Sequence, residues 1–272
     1  MKINILSEHN NAIANFPLTE PEIQQLCDEL QIENNAFTKI KINQPDELFS
    51  TLENKEIVLD ELNFLTKMLD SFNSFEENIY LAVADGFNCT TTKELINLVF
   101  NMDCYTVVDH SYEDQNQLGK LLFMNENVGM STDEYADFDG VQYIEDFIEL
   151  NPLMCKTKYG DVYLNSNDEI QVFNGKNLPC LVFDERNLVI CASVDAKNEY
   201  LFLPYHENEL SKVLQRLDVD DLSDVKIEFE THELSNDEFE EIKDEKNLEK
   251  LNDFAKKLED EQEAQDFSMQ MG

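Results

Sequence analysis

Leu59-Asp60-Glu61-Leu62-Asn63-Phe64-Leu65-Thr66-Lys67-Met68-Leu69 has a near copy at the far end of the chain, Leu248-Glu249-Lys250-Leu251-Asn252-Asp253-Phe254-Ala255-Lys256-Lys257-Leu258. Each copy carries the stripe of an amphipathic helix. The stripe is Leu59, Leu62, Leu65 and Leu69 in the first copy, and Leu248, Leu251, Phe254 and Leu258 in the second. Upstream, Ile23, Leu26 and Leu30 align with Leu210, Val213 and Leu217, and the same offset lays Ile40-Lys41-Ile42 on Ile227-Glu228-Phe229. A loop two residues longer in the second copy then restores the helix match. The spacing predicts a strand-entry, helix, strand, helix unit that occurs twice.

Working outward, three parts are expected. An N-terminal α/β unit covers 1–84, a middle unit 85–195, and an acidic C-terminal unit 196–272. In the first, Thr19 and Glu22 form a capping box around Pro21, and Phe75 to Ala84 is helical up to Asp85-Gly86. The middle unit opens with a helix from Thr90 to Phe100, a strand at Cys104–Val108 and a helix from Ser111 to Asn125. A helix at Val141–Leu150 follows. After Pro152 the pattern changes to short strands at 162–164, 170–173, 188–191 and 200–203, separated by turn signals, which predicts antiparallel β structure joining the repeats. The fold class expected is α+β: an elongated, multi-part chain with duplicated ends and a helix-plus-antiparallel-β middle.

Charge is the outlier. Asp and Glu number 58 against 20 Lys and Arg, a formal net charge of −38. A small soluble domain needs only about 2–8 charges, and an excess of this size destabilises a compact state by self-repulsion. Phosphate contacts need Lys/Arg clusters, so direct nucleic-acid binding is not expected. The only two arginines, Arg186 and Arg216, are expected to have nothing basic around them. No 18-residue apolar run exists, so no membrane span is expected, and the N-terminus turns polar too early for a signal peptide. These features predict a cytoplasmic protein.

Chemical motifs are missing. The seven glycines form no phosphate loop, and no nucleophile elbow or His-Glu-x-x-His occurs. Asp218 to Asp224 superficially suggests a calcium loop, but it lacks the Gly at position six and has Phe229 at position twelve. Cys27, Cys89, Cys104, Cys155, Cys180 and Cys191 are scattered among apolar neighbours and read as buried, reduced side chains. The four histidines are equally dispersed. His110, at a strand end, is the one candidate general base, and a structural polar role is the simpler reading. No metal, no cofactor and no enzymatic activity are expected.

The acids carry the functional reading instead. Helical rise puts acids at i and i+4 about 6 Å apart along the axis, and DNA phosphates advance about 3.4 Å per nucleotide. Acids spread over neighbouring helices can therefore approximate a double row of negative points. The residues expected to meet a partner are Asp109, Glu113, Asp114, Asp133, Glu134, Asp137, Asp139, Glu145, Asp146 and Glu149 in the middle unit. In the C-terminal unit they are Asp218, Asp220, Asp221, Asp224, Asp237, Glu238, Glu240 and Glu241.

Cys104-Tyr105-Thr106-Val107-Val108, followed by Tyr112-Glu113-Asp114-Gln115-Asn116-Gln117-Leu118-Gly119-Lys120-Leu121-Leu122, resembles ArdA-type antirestriction proteins of mobile genetic elements. Leu59-Asp60-Glu61-Leu62-Asn63-Phe64-Leu65 resembles a helix of the same group. The resemblance covers about residues 15 to 165 and rests on scaffold motifs. It implies a DNA mimic, usually a homodimer, that occupies the DNA groove of type I restriction–modification enzymes. The β segment and second repeat depart from that pattern and leave the target open. The alternatives are an anti-CRISPR mimic blocking an RNA-guided nuclease, and an acidic interaction module that holds a basic nucleic-acid-binding protein.

Overall fold

A computed structural model describes residues 1–270 apart from 9, 44, 128, 130, 166–167, 181–187, 222–224 and 233, and apart from the side chains at 125–126, 231–232 and 260–270. The chain opens with a hairpin, β1 (Lys2–Leu6) and β2 (Asn11–Asn15), followed by α1 (Glu20–Leu30) and β3 (Lys39–Asn43). A 3₁₀ turn at Glu47–Leu52, β4 (Glu56–Val58) and α2 (Leu59–Leu69) complete the first unit. Its antiparallel sheet has the order β2-β1-β3-β4. Helix α1 starts where the sequence predicts. Glu22 accepts hydrogen bonds from the backbone N–H and hydroxyl of Thr19, both at 2.8 Å, which pull its carboxyl below the usual range. Ile23, Leu26, Cys27 and Leu30 are the buried stripe.

The duplication is present in three dimensions. Near the C-terminus come β8 (Leu188–Val194), β9 (Lys197–Leu203), α8 (Glu207–Leu217), β10 (Lys226–His232), α9 (Asn236–Ile242) and α10 (Leu248–Gln270), with the sheet order β9-β8-β10. Both α1 and α8 span eleven residues at an offset of 187 (207 minus 20), and both end on a left-handed residue, Gln31 and Asp218. The hairpins share a register: Lys2 faces Asn15, and Val189 faces Phe202. Cis peptide bonds at Phe16–Pro17 and Leu203–Pro204 occupy equivalent places.

The Asn common to both helical copies shows what the sequence match preserves. Asn63 accepts from the backbone N–H of Leu18 at 2.7 Å and donates to its carbonyl at 2.9 Å. Asn252 accepts from the N–H of Tyr205 at 2.7 Å and donates to its carbonyl at 3.5 Å. In each repeat one buried amide therefore closes the segment after the cis-proline onto the matched helix, α2 or α10. Two differences separate the copies. Phe229 faces Ile190, whereas equivalence with the Ile42–Ile5 pair would place it opposite Ala192. The slip of two residues keeps side chains on the same face. Among the described residues, no strand of the second repeat corresponds to β4.

Between the repeats lie α3 (Ser74–Gly86), α4 (Thr92–Val99), β5 (Tyr105–Val108), α5 (Gln115–Glu126), α6 (Thr132–Asp137), α7 (Gly140–Leu150), β6 (Leu153–Thr157) and β7 (Gly160–Leu164). The second sheet runs β5-β7-β6. The boundary expected at 84 is corrected by the packing. The first core runs from Ile3 through Leu65, Tyr80 and Ile96 to Tyr105, Val162 and Phe173 without a break. The boundary at 195 is also corrected, because Asp195 sits in the turn of the β8–β9 hairpin and the second repeat's sheet begins at Leu188. Strands expected at 188–191 and 200–203 thus belong to the repeat and do not join it to the middle.

The expected strand at 170–173 is absent. Asn101 accepts from the N–H of Ile170 at 2.6 Å and donates to its carbonyl at 2.8 Å, while Asn97 accepts from the N–H groups of Val172 and Phe173 at 2.8 and 2.9 Å. Side chains on α4 and just beyond its end satisfy this backbone, so it needs no sheet partner. Cys27, Cys104 and Cys191 are buried as expected, whereas Cys89, Cys155 and Cys180 are only half-buried, and none of the six is in a disulfide.

Candidate partner-binding surface

The middle helices stand on the second sheet. Val108, Leu118, Leu122, Ile144, Phe147 and Tyr163 form a compact core beneath α5 and α7. Phe123 stacks obliquely against Phe138 at 4.7 Å between ring centres and meets Tyr143 edge-on at 5.5 Å. The helices cross at glycines. A Cβ on Gly119 would lie 1.9 Å from the carbonyl oxygen of Gly140, and one on Gly140 would lie 2.0 Å from that of Asn116. Asn116 also accepts from the N–H of Gly140 at 2.7 Å. The Leu118-Gly119 pair in the sequence is therefore a helix-crossing device.

Residues 109–150 contain eleven acids and a single cation, Lys120. That lysine is only 7% exposed. Its Nζ donates to the carbonyl of Tyr135 at 2.6 Å and lies 4.6 Å from the centre of that ring. The one positive charge of the segment is thus spent inside it, and the outside carries carboxylates.

The predicted acids divide into two kinds. Several are local caps. Asp109 accepts from the N–H of Ser111 at 2.8 Å, Asp114 from that of Gln117 at 2.9 Å, and Asp139 from that of Gln142 at 3.0 Å. Glu134 accepts from the hydroxyl and N–H of Ser131, which draw its carboxyl below the usual range. Asp146 accepts from the Gln142 amide at 2.9 Å. The expected helix start at Ser111 moves to Gln115 because Asp109 and Ser111 make a turn of their own and Asp114 is the cap. By contrast, Glu113, Asp133, Asp137, Glu145 and Glu149 are exposed and make no hydrogen bond or ion pair among the described residues. Those five are available to a partner.

The second predicted group is less uniform. Asp218 ends α8 and lies 3.7 Å from Lys197; Glu238 caps α9 with Ser235; Glu240 pairs with Lys243. Asp220, Asp221, Asp237 and Glu241 are exposed, and Asp224 lies outside the described residues, as does Arg186. Phe239 meets Phe229 at 5.5 Å, fixing α9 to β10.

Sequence reasoning missed one constellation. Lys212 and Arg216, one turn apart on α8, are 3% and 7% exposed and face the first repeat. Lys212 reaches Glu20 at 3.0 Å and Asp60 at 2.8 Å, while Arg216 reaches Asp60 at 3.0 Å and Glu199 at 2.7 Å. Arg216 therefore does have a basic neighbour, contrary to expectation. Burial pushes the Glu199 carboxyl up, against the pull of Arg216. The readable signal was a pair of cations at i and i+4 beside the Leu210, Val213, Leu217 stripe. Gln215 accepting from Ala36 at 2.9 Å and Asn208 donating to Gln24 at 3.0 Å complete this junction.

His110 lies 3.3 Å from Asp161, which also pairs with Lys156 at 2.9 Å. The described residues hold no cluster of three or more His, Cys, Asp or Glu placed to bind a metal ion, and no helix among them is long and apolar enough to cross a membrane. Compared with known proteins, the chain matches no family model, no curated protein and no solved structure.

Proposed function

We propose that this protein is a non-catalytic, stoichiometric inhibitor that presents its carboxylates to the basic channel of a DNA-binding defence enzyme and so excludes DNA. The observation that carries this reading is residues 109–150, which hold eleven acids, with Glu113, Asp133, Asp137, Glu145 and Glu149 exposed and uncommitted, and whose lone lysine is buried against Tyr135. A surface of one sign steers a complementary partner and resists others. The sequence likeness to ArdA-type proteins points the same way and nominates type I restriction–modification enzymes, with RNA-guided nucleases as the alternative target.

The test is competition. The protein is titrated into a type I restriction enzyme, and separately into an RNA-guided nuclease, each holding labelled duplex DNA. Displacement near one-to-one from either enzyme, weakening as salt shortens the Debye length, is the expected result. Neutralising Glu113, Asp133, Asp137, Glu145 and Glu149 together should abolish it, since none of the five caps a helix. Failure to displace DNA from both enzymes, or displacement indifferent to salt and to those five changes, would refute the proposal.

A further inference from the structure

The docked repeats leave a cleft between them. Its outer part, about 600 Å³, has apolar walls from Pro17 and Ile23 of the first repeat and Pro204 and Tyr205 of the second. Its inner end adjoins a cavity of about 120 Å³ against the Lys212–Asp60–Arg216–Glu199 network, the two spaces sharing Glu20, Ile23, Asn63, Lys67 and Glu209. Clefts of roughly 300–1,000 Å³ at the junction of two units are the usual place for small-molecule sites.

The polar groups of this cleft are unevenly committed. Glu20 is held by Lys212 at 3.0 Å and by Asn34 at 2.8 Å. Glu209 accepts from the backbone N–H of His206 at 2.7 Å, and Glu259 has a partner of its own. Asn63 spends both ends of its amide on Leu18. The cations differ. Lys67 and Lys256 occupy equivalent positions of the two repeats, 189 residues apart (256 minus 67), and both line this one groove. Neither makes a hydrogen bond or ion pair among the described residues, although Lys67 is half-buried. The Nδ1 of His206 accepts from the N–H of Asn208, which leaves Nε2 uncommitted.

The spare capacity of the cleft is therefore cationic and hydrogen-bond donating, between apolar walls. We infer that the cleft is a binding site for a small organic anion, a carboxylate or phosphate on an apolar body, with Lys67 and Lys256 as its two cationic contacts. The ligand would bridge the repeats, because one lysine comes from each. This site relies on its two uncommitted lysines, lies apart from the acidic helices of residues 109–150, and stands independently of the inhibitor reading.

Isothermal titration calorimetry with octanoate and with 1-naphthyl phosphate tests it, the two arms separating a carboxylate from a phosphate ligand. Saturable one-to-one binding of at least one probe is expected. The half-molecules octan-1-ol and inorganic phosphate should bind at least about tenfold more weakly. Lys67→Met and Lys256→Met should each weaken the bound probe by about tenfold, the size of one charged hydrogen bond, and Lys246→Met, remote from the cleft, should not. Lys256 is exposed, so its variant reports on the site even where Lys67→Met lowers stability. The inference is overturned if neither probe binds saturably, or if binding survives unchanged in the Lys256 variant.

Discussion

Replacing Asn63 by alanine should cost far more than the loss of one surface amide, and the structure sets the amount. Asn63 is 6% exposed and serves the N–H and the carbonyl of Leu18, itself 6% exposed. Alanine leaves both backbone groups without a partner and out of reach of water, at about 1–3 kcal/mol each. The expected loss is therefore about 2–6 kcal/mol. The same change at Asn252 should cost less, about 1–2 kcal/mol, because its second bond is long at 3.5 Å and Tyr205 is only half-buried, so water can substitute. Urea unfolding followed by far-ultraviolet circular dichroism measures both, with the slope checked for constancy so that the midpoint shift reports stability. A loss below ~0.5 kcal/mol at Asn63, the range of an ordinary surface substitution, would refute the argument. So would a larger loss at Asn252 than at Asn63.

Three other outcomes are expected. Lys212→Met should destabilise the protein by about 3–5 kcal/mol in the same urea assay, because it leaves the buried Glu20 with only the neutral amide of Asn34 and Asp60 with Arg216 as its one cation; Lys226→Met, which breaks the exposed pair with Glu228, should stay within about 0.5 kcal/mol. Gly119→Ala forces a Cβ to 1.9 Å from a backbone oxygen, so a loss of about 3 kcal/mol or more and a weakened near-ultraviolet signal from the Phe123, Phe138 and Tyr143 cluster should be seen, and an unperturbed spectrum would count against the crossing. Burial raises the Glu61 carboxyl above its ordinary 4.5, opposed by its bond from Thr92 and reinforced by Asp60. The folded state then holds its proton more tightly than the unfolded one, so this group's contribution is full below 4.5 and is lost as pH climbs through the raised value. Glu61→Gln should accordingly raise the thermal midpoint at neutral pH and lose that advantage on acidification, which a series of melts across pH would show.

Local pattern made much of this legible. The Thr19–Glu22 box and the stripes of Leu59–Leu69 and Leu248–Leu258 are short-range features, so their helices start where the sequence places them. The repeat was readable because both copies need the same apolar positions and the same buried Asn. Misplaced boundaries had a common cause: a hairpin turn at Asp195 and a core continuous across residue 84 depend on which strands pair and what packs on them. The expected strand at 170–173 had the right residues but met Asn97 and Asn101 before any sheet edge.

The candidate surface divides in the same way. Sequence alone determined the charge surplus, the concentration of eleven acids against one lysine in residues 109–150, and the existence of two related units, because composition and periodicity need no partner to be read. Tertiary structure decided which charges remain for a partner. It buried Lys120 against Tyr135, spent Asp114 and Asp139 on helix ends, and sank Lys212 and Arg216 among Glu20, Asp60 and Glu199. It also set Lys67 and Lys256 in one cleft from opposite ends of the chain. Whether a charge is paired or available depends on its distance to groups far away in sequence, and only the packing of the repeats fixes those distances.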